Sequence, residues 1–497
     1  MTDSIPLALP TEVRQSSEAE RAAFGKNTRK IHPRTTLGNW QPASHRPNPV
    51  SILLEQEATR VPELISLRHS RMAVNPFTFF RGTAAIMAYD LGTYPNSGLV
   101  SQLCGDAHLS NFGIFGSPDR AMIFDINDFD ETFPGAFEWD VARMATSFYI
   151  AAKNNQFTEL DAQASALTAA ASYRTAMSQY STMNDLDQWY SRVDAVFLLD
   201  LAKAEGGTRA EKNMTQTLNK ARNRDRWSAI NKLTEVVNGA RQFLDQPPLL
   251  ARLPMTGDQW EVIHALFEEY RNTLLDDRRE LLRRYHVIDF AHKVVGVGSV
   301  GLRAFVVLLQ GRDPDDLLVL QVKEAVQSAL APYVNVAKAQ DEGHRVVTGQ
   351  RLMQAASDVF LGWITGSAGR YFYVRQLRDM KWSPEIATLT TDAMRGYAQI
   401  CGKTLARGHA RSGDSIAIAA YLGTSDTFDQ SLLSFALRYS AQVNEDFETF
   451  TQAIADGTLT TASSEDDDAL QKRFTSESHA SAQVYRDRAT QEDNGAL

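Results

Sequence analysis

Acidic and amide side chains are concentrated in residues 104–111 and again in residues 124–131, on two loops that are predicted to emerge from adjacent strands. Mg²⁺ prefers oxygen ligands, and proteins usually hold it with one or two carboxylates while substrate phosphates complete the shell. Asp106, Asn111 and Asp128 therefore fit a base and two metal ligands. Asp106 and Asn111 would also fit turn caps that bond the local backbone. The four carboxylates within residues 124–131 favour the metal site, because like charges so close normally require a cation.

These loops resemble the Gly-Asp-x-His-x-x-Asn loop and the downstream Asp-Phe-Asp or Asp-Phe-Glu metal site of aminoglycoside phosphotransferases and choline kinases, a branch of the kinase-like folds. The resemblance implies ATP and Mg²⁺ as cofactors. It makes Asp106 the catalytic aspartate, Asn111 a metal ligand and Asp128 the principal metal carboxylate. Asp125 competes with Asp128, because the spacing from strand to loop is ambiguous. His108 is a further candidate at the catalytic centre, where a scaffolding role is favoured over proton transfer.

A glycine-rich segment later in the chain fits the pattern G-x-G-x-x-G, which several folds use and which is weak on its own. A dinucleotide-binding loop of this type opens into a helix, but residues 302–310 are rich in strand formers. The sequence therefore predicts a glycine hairpin whose backbone N–H groups cover nucleotide phosphates. Its candidate nucleotide-binding residues are Gly296, Gly298, Ser299 and Gly301.

Lys323 ends the next predicted strand, after an otherwise apolar run. An isolated strand-end lysine usually reaches solvent, but in a kinase-like site such a lysine contacts nucleotide phosphates and pairs with a helix glutamate. Glu342 is the candidate partner, since Glu324 should point to the opposite face of the strand. Gln350 and Gln354 share a predicted helix face and would bond the lysine without a charge.

The order of these motifs differs from that of ordinary kinases, because Lys323 stands 217 positions after Asp106. A second loop, residues 405–414, stands in the ordinary order, but the residue five positions after Asp414 is Ala419 rather than an amide. The resemblance therefore implies a circular permutation, which folding permits when the original termini lie close together. It further implies an α+β, kinase-like fold with a small β-rich lobe and a large, mainly helical lobe.

The chain divides accordingly into five predicted segments. They are a flexible N-terminal arm (1–44), a helical lobe with the catalytic and metal-binding loops (45–289), a small β-rich nucleotide-binding lobe (290–380), helices that complete the large lobe (381–460) and a polar acidic tail (461–497). Within the helical lobe, residues 139–143 resemble the Tyr-Asp-Leu-Ala helix start of the same kinase-like branch. Asp140 would then be a structural support.

Longer stretches are similar to an uncharacterised bacterial group, the domain-of-unknown-function 2252 family. They are NPFTFFRG at 75–82, QLCGDAHLSNFG at 102–113, QVKEA at 321–325 and RVVTGQRLMQ at 345–354. This similarity names no substrate. Arg81, within the first stretch, would either bind an anion near the site or stack on Phe79 or Phe80.

Composition limits the classes of partner. The 497 residues carry a net charge of −9, so binding to nucleic acid through phosphate neutralisation is not expected. Two cysteines are too few for a disulfide framework, which suits a reducing, cytoplasmic setting. No apolar run reaches the roughly 18 residues of a membrane span, and residues 1–14 lack a leader pattern. We therefore expect a protein without a membrane association.

The sequence as a whole predicts an ATP- and Mg²⁺-dependent phosphotransferase whose partners are a nucleotide and a small-molecule acceptor with a hydroxyl or amine. Two alternatives stay open. The same site would transfer an adenylyl group if the nucleotide bound in reverse. A non-catalytic nucleotide-binding protein would use the basic segment 202–241 to meet a regulatory partner, although such a segment is more often a solvated helix face.

Overall fold

The computed structural model describes residues 16–222, 226–247, 249–253, 257–294, 300–336, 339–366, 369–377 and 380–462, which form a mixed α+β fold. The helices are α1 (Glu18–Ile31), α2 (Pro49–Glu57), α3 (Pro62–Met72), α4 (Pro76–Gly82), α5 (Ala84–Gly92), α6 (Phe137–Asn154), α7 (Glu159–Tyr180), α8 (Asp185–Tyr190), α9 (Ala195–Arg222, interrupted at Gly207), α10 (Arg226–Leu233), α11 (Gly257–Asn272), α12 (Asp276–Leu282), α13 (Glu342–Met353), α14 (Thr391–Ser412), α15 (Ser415–Leu422) and α16 (Thr427–Ala455). The strands are β1 (Val100–Leu103), β2 (Phe112–Gly116), β3 (Met122–Ile126), β4 (Phe133–Ala136), β5 (Val193–Asp194), β6 (Thr234–Val237), β7 (Ala240–Phe243), β8 (Leu250–Arg252), β9 (His286–Lys293), β10 (Ala304–Gln310), β11 (Leu317–Ala325), β12 (Gly362–Thr365) and β13 (Tyr371–Gln376).

Helix α6 forms the centre of the helical part, and its residues 137–152 are all buried. A helix that is buried on every side must be covered by neighbours, and α7, α14 and α16 pack around it. The contact between α7 and α14 is close, because a Cβ at Gly402 would lie 2.5 Å from the carbonyl oxygen of Ala169. The large core therefore combines helices from both halves of the chain.

The N-terminal arm that was predicted to be flexible contains a docked helix. Helix α1 begins with a capping box in which Ser17 and Glu20 bond each other's backbone N–H groups. It packs on α15, where Arg21 pairs with Asp414 at 2.8 Å and a Cβ at Gly25 would lie 2.1 Å from the Ala417 carbonyl oxygen. The helix was missed because its buried face is narrow and includes Gly25 itself.

A six-stranded antiparallel sheet forms the second core, with the order β12-β13-β11-β10-β9-β8. Every residue of the central strand β11 is buried, as its apolar sequence requires for a strand covered on both faces. The register places Lys323 of β11 between Ala304 of β10 and Tyr373 of β13. The sheet begins at Leu250, so it is larger than the predicted lobe at 290–380. Helix α13 packs against β12 and β13.

Two local predictions need correction. The predicted helical lobe contains the hairpin β6–β7, whose loop is Asn238-Gly239 with φ values of 52° and 81°. An Asn-Gly pair with positive φ at both positions is the preferred two-residue hairpin loop. The two acidic loops were predicted to emerge from adjacent strands, but they follow β1 and β3, which belong to different sheets. Strand β1 pairs with β4, whereas β2 and β3 form a hairpin with each other.

Across the described ranges, no helix has both the length and the apolar character needed to cross a membrane.

Candidate active site

The ammonium group of Lys323 meets the second acidic loop, although the two lie far apart in sequence. Its Nζ forms an ion pair with Asp130 and lies 3.9 Å from Oδ1 of Asp128. The hydroxyl of Tyr373, which is opposite Lys323 in the sheet register, donates to Asp130 at 2.8 Å. Arg375, two residues further on the same face of β13, donates to the Asn127 carbonyl at 3.0 Å. The sheet is therefore fastened to this loop through side chains of β11 and β13.

The two carboxylates beside Lys323 differ in their electrostatics. Burial works against the charge on Lys323, but Asp128 and Asp130 outweigh it and raise the pKa of the lysine. Burial likewise opposes the charge on Asp130, and Lys323 overcomes it, so the pKa of Asp130 is lowered. Burial and the neighbouring Asp130 raise the pKa of Asp128. Asp128 is the less tightly paired carboxylate, and its side chain keeps 32% of its surface exposed.

The first acidic loop is held by Asp140 of α6. Its carboxylate accepts hydrogen bonds from the N–H groups of Cys104 at 2.8 Å and Gly105 at 3.0 Å, and His409 of α14 lies 3.2 Å away. Gly105 has a φ of 82°, and a Cβ there would lie 2.1 Å from the Glu131 carbonyl oxygen. Only glycine fits this contact between the two acidic loops. Asp140 thus supports the backbone of the first acidic loop.

Asp106 lies beside Arg143 and His108. It forms an ion pair with Arg143, whose guanidinium also stacks over the Phe80 ring at 4.3 Å from the centroid. Burial raises the pKa of Asp106 above its ordinary value, against the opposing charges of Arg143 and Arg81. Oδ2 of Asp106 is 3.7 Å from Nε2 of His108. Burial lowers the pKa of His108 well below its usual range, so the imidazole is neutral at physiological pH.

Asn111 ends a short 3₁₀ turn that closes the first loop. Its amide nitrogen donates to the Asp106 carbonyl at 2.8 Å, which leaves the side-chain oxygen as the atom available to a cation. Its own carbonyl accepts the N–H of Asn127 at 2.8 Å, next to Asp128. Asn111 and Asp128 are therefore two oxygen donors on backbone segments that bond each other, a donor set that suits Mg²⁺. Within the described ranges, no group of three or more His, Cys, Asp or Glu side chains is arranged to hold a metal ion.

Asp125 and Glu342 do not join this group. Asp125 is fully buried, and its carboxylate accepts from Arg407 at 2.7 and 2.8 Å and from the N–H of Ala355 at 2.8 Å. The predicted pairing of Glu342 with Lys323 is not formed; Glu342 pairs with Arg345, one turn along α13. Lys323 instead pairs with Asp130 of the second acidic loop, because the register of β11 places its side chain on that side of the sheet.

The glycine segment is described only in part, because Gly296, Gly298 and Ser299 lie outside the described residues. Gly301 has a φ of 95°, and its carbonyl accepts the N–H of Val61 at 2.7 Å. A Cβ at Gly301 would lie 3.0 Å from the side chain of Arg60. This end of the segment therefore packs against the connection between α2 and α3.

Two cavities meet at Asp128. The larger, of about 670 Å³, lies between the sheet, α13 and the β2–β3 hairpin. Its charged and amide lining residues are Arg120, Asn127, Asp128, Arg278, Lys293, Gln321, Lys323, Gln350, Gln354, Asp358, Arg375, Gln376 and Lys381. Gln354 donates to the Ile126 carbonyl at 2.7 Å and accepts from Gln350 at 3.0 Å, so both predicted glutamines lie at the cavity but are bonded elsewhere than to Lys323.

The smaller cavity, of about 100 Å³, lies on the Asp106 side. Its charged and amide lining residues are Gln56, Arg60, Arg81, Asp106, His108, Asn111, Asp128, Asp130, Glu131 and Glu324. Four of the predicted site residues thus line one cavity, and Lys323 lines the other with Asp128. Sequence reasoning missed the partners Arg143 and Tyr373. The alternation of Tyr371, Tyr373 and Arg375 along one strand face was the available signal for the second.

Comparison with known proteins gives the family. The family model described as an uncharacterized protein conserved in bacteria (DUF2252) matches residues 60–453, which is more than half of the chain. The chain belongs to the DUF2252 family. The match includes both acidic loops, Lys323 and helix α13. No curated protein and no solved structure matches the chain.

Proposed function

We propose that this DUF2252 protein is an ATP- and Mg²⁺-dependent phosphotransferase that acts on a hydroxyl or amine of a small molecule. The observation that carries the proposal is the ion pairing of Lys323 with Asp128 and Asp130, beside Asp106 and Asn111. A cation for phosphates, oxygen donors for a metal and a carboxylate base are the parts that phosphoryl transfer needs, since its catalysis is mostly positioning and charge stabilisation.

The larger cavity is the proposed nucleotide site. Its volume of about 670 Å³ falls within the ordinary range for ligand sites. Six of its lining residues are cationic, although the whole chain has a net charge of −9: Arg120, Arg278, Lys293, Lys323, Arg375 and Lys381. A cavity with such local charge favours a polyanionic ligand such as a nucleoside triphosphate. We propose that Lys323 contacts the phosphates and that the carboxyl end of β13 borders the base.

Asn111 and Asp128 would hold the Mg²⁺, which would supply neutralisation of the phosphate charge. Asp128 is preferred over Asp125 because Asp128 faces both cavities, whereas Arg407 and Ala355 occupy the carboxylate of Asp125. Gly301 and the preceding glycine segment are proposed to cover the phosphates. In this proposal, the six-stranded sheet with α13 is the small lobe of a permuted kinase-like fold.

Asp106 is the proposed general base. In the proposed step, the acceptor oxygen attacks the γ-phosphorus and its proton passes to the Asp106 carboxylate. The bond between the γ-phosphorus and the β,γ-bridging oxygen breaks, and ADP leaves with that electron pair. Burial raises the pKa of Asp106 above its ordinary value, which makes the carboxylate a stronger proton acceptor. Arg143 would orient the carboxylate through their ion pair, and neutral His108 is proposed to support the loop.

The test uses the purified full-length chain with Mg²⁺, a pool of small metabolites, and ATP labelled either at the α- or at the γ-phosphorus. We expect the γ-label, and not the α-label, to appear in an acceptor detected by mass analysis. Asp128→Asn should abolish the transfer, whereas Asp119→Asn, which changes an exposed carboxylate on the β2–β3 turn, should leave it intact. Transfer of the α-label would show adenylyl transfer instead, and ATP binding without any transfer would favour a non-catalytic nucleotide-binding protein.

A further inference from the structure

Three side chains that line the smaller cavity each have a buried nitrogen atom without a hydrogen-bond partner among the described residues. These atoms are Nε of Arg60, Nε of Arg81 and Nδ1 of His108. Arg60 and His108 are 7% and 4% exposed, and all three side chains line the cavity beside Asp106. The Nε–H group of an arginine is always a donor, whereas Nδ1 of a neutral histidine either donates or accepts. A buried donor without a partner is costly, so the two arginines beside one cavity indicate a ligand that supplies acceptor atoms.

The charges around this cavity indicate which kind of ligand it binds. Four of its five carboxylates have a cationic partner within 4 Å: Asp106 has Arg143, Asp128 and Asp130 have Lys323, and Glu324 has Arg303 and Arg370. The fifth, Glu131, accepts the N–H of Ala329 at 2.6 Å.

The two guanidinium groups that line the cavity are different, since neither forms an ion pair with a described residue. Arg60 donates to the Val300 carbonyl, and Arg81 lies 5.9 Å from the centroid of the Phe77 ring. The charged cavity residues without an ion pair among the described residues are therefore two cations, Arg60 and Arg81, and one anion, Glu131. The unpaired cations outnumber the unpaired anion.

Both arginines are held in place by the helices around them. Arg60 follows α2, and its stem packs against Gly301. Arg81 lies in the last turn of α4, a helix that begins with Pro76 and a capping box between Asn75 and Thr78. Donors that are held in place bind a carboxylate or a phosphate at lower entropic cost than mobile donors.

We propose that the acceptor carries an anionic group, a carboxylate or a phosphate, that Arg81 and Arg60 bind while the reacting hydroxyl or amine lies at Asp106. His108 donates or accepts one further hydrogen bond at the same group. This inference rests on the proposed phosphotransferase function, because it assigns the smaller cavity to the acceptor. A cavity of about 100 Å³ limits the bound part to a small molecule or to the end of a larger one.

The test compares three probes that share a hydroxyl-bearing three-carbon skeleton: glycerol, glycerate and glycerol 3-phosphate. Binding to the full-length chain is measured by calorimetry at millimolar concentration, first without nucleotide. We expect one or both anions to bind, the stronger of the two showing whether the site prefers carboxylate or phosphate, and glycerol to bind more weakly. Arg81→Gln should weaken binding of the anions roughly 10- to 100-fold, because it removes a charge-assisted contact.

Arg81→Lys, which keeps the charge, should retain part of the affinity. Arg192→Gln, on an exposed arginine outside the cavity, should retain all of it. Equal binding of glycerol and the anions, binding of none of the three probes, or an Arg81→Gln variant that melts like the wild type and binds anions unchanged, would each overturn the inference. Anion binding that depends on Arg81 without γ-label transfer to any acceptor would refute the phosphotransferase proposal alone. Transfer that prefers neutral acceptors would refute the anionic acceptor alone.

Discussion

Asp106 combines an ion pair with a raised pKa. It is held by a guanidinium, and burial nevertheless raises its pKa. The side chain keeps 18% of its surface exposed, on the wall of the smaller cavity. A carboxylate that is fixed, reachable and shifted toward proton acceptance is the arrangement expected of a general base.

Replacing Asp106 with Asn should reduce phosphoryl transfer by roughly 10²–10⁴-fold, the usual contribution of a positioned base. Nucleotide binding should change little, since the proposed nucleotide site lies on the far side of Asp128. Single-turnover transfer and ATP binding are the two measurements. Turnover equal to that of the wild type, in a variant with an unchanged melting temperature, would contradict the role of Asp106.

Replacing Lys323 with Met should weaken ATP binding by at least about 10-fold, because a charge-assisted contact to phosphate is lost. The buried Asp128 and Asp130 also lose their cation, so the free energy of unfolding should fall by about 3–5 kcal/mol. Lys153→Met removes an exposed lysine and should do neither. Equilibrium binding of ATP and denaturant unfolding, measured on both variants, separate the two effects. Unchanged ATP affinity in Lys323→Met would refute the assignment of the nucleotide cavity.

The candidate site residues could be selected from the sequence to the extent that residue type and spacing carried the information. Asp106, Asn111 and Asp128 stand in a short pattern of oxygen-bearing residues, and Lys323 interrupts an apolar strand. The partners of these residues were not predictable. The pairs Lys323 with Asp130 and Asp125 with Arg407 join positions 193 and 282 residues apart, and spacing along the chain contains no record of them.

At the scale of the elements, Gly105 allows the two acidic loops to pack closely against each other. Gly105→Ala requires a Cβ that would lie 2.1 Å from a backbone oxygen, in a conformation with positive φ. We expect the loops to separate, with a loss of phosphoryl transfer and of stability. Gly98→Ala is the matched control, because Gly98 also has positive φ but nothing within 4 Å of its Cβ position. The control should cost only about 1–2 kcal/mol of backbone strain.

Unfolding in denaturant and single-turnover transfer measure the two glycine variants side by side. Equal destabilisation by Gly105→Ala and Gly98→Ala would show that the positive φ angle alone accounts for the loss of stability. In that case the contact between Gly105 and Glu131 would not position Asp106.

Helix α13 is fastened to the second acidic loop by Arg345. Its guanidinium donates to the carbonyl groups of Asp130 at 2.9 Å, Val326 at 2.8 Å and Thr132 at 2.5 Å. Arg345→Lys keeps the charge but cannot reach three carbonyls, so we expect a loss of about 2–4 kcal/mol in the free energy of unfolding. Arg395→Lys, on an exposed face of α14, should change it by less than about 0.5 kcal/mol. Urea unfolding of both variants measures these changes, and an equal free energy of unfolding in the two variants would contradict the role of Arg345.

Most elements were recognisable from sequence because their periodicity reflects burial. The apolar run of β11 and the Ala-rich helices α6 and α7 are examples. The exceptions are elements whose buried face is small or polar. Helix α1 docks through glycine and an ion pair, and the β6–β7 hairpin has largely exposed side chains, so neither produces a strong apolar pattern.

At the scale of the whole molecule, the buried His292 of strand β9 makes the stability of the fold depend on pH. Burial lowers the pKa of His292 from 6.5 to about 3, with help from Arg303. Below pH 6.5, His292 binds a proton in the unfolded chain but stays neutral in the folded chain. The free energy of unfolding therefore falls as the pH falls toward 3. This histidine should contribute a loss of about 2 kcal/mol between pH 6.5 and pH 5.

Urea unfolding of His292→Gln across the same pH interval should show a shallower fall than the wild type. His45→Gln, which changes an exposed histidine, should show the wild-type slope. A slope unaffected by His292→Gln would mean that other groups produce the acid sensitivity.

The burial of Asp125 against Arg407 also has a consequence during synthesis. A ribosome adds roughly 5–20 residues per second, so the 282 positions between the two side chains correspond to about 14–56 s. Throughout that interval the nascent chain contains Asp125, but its ion-pair partner Arg407 has not yet been synthesised. We therefore expect truncated or stalled products that end before α14 to be bound by chaperones and degraded by proteases rather than to fold.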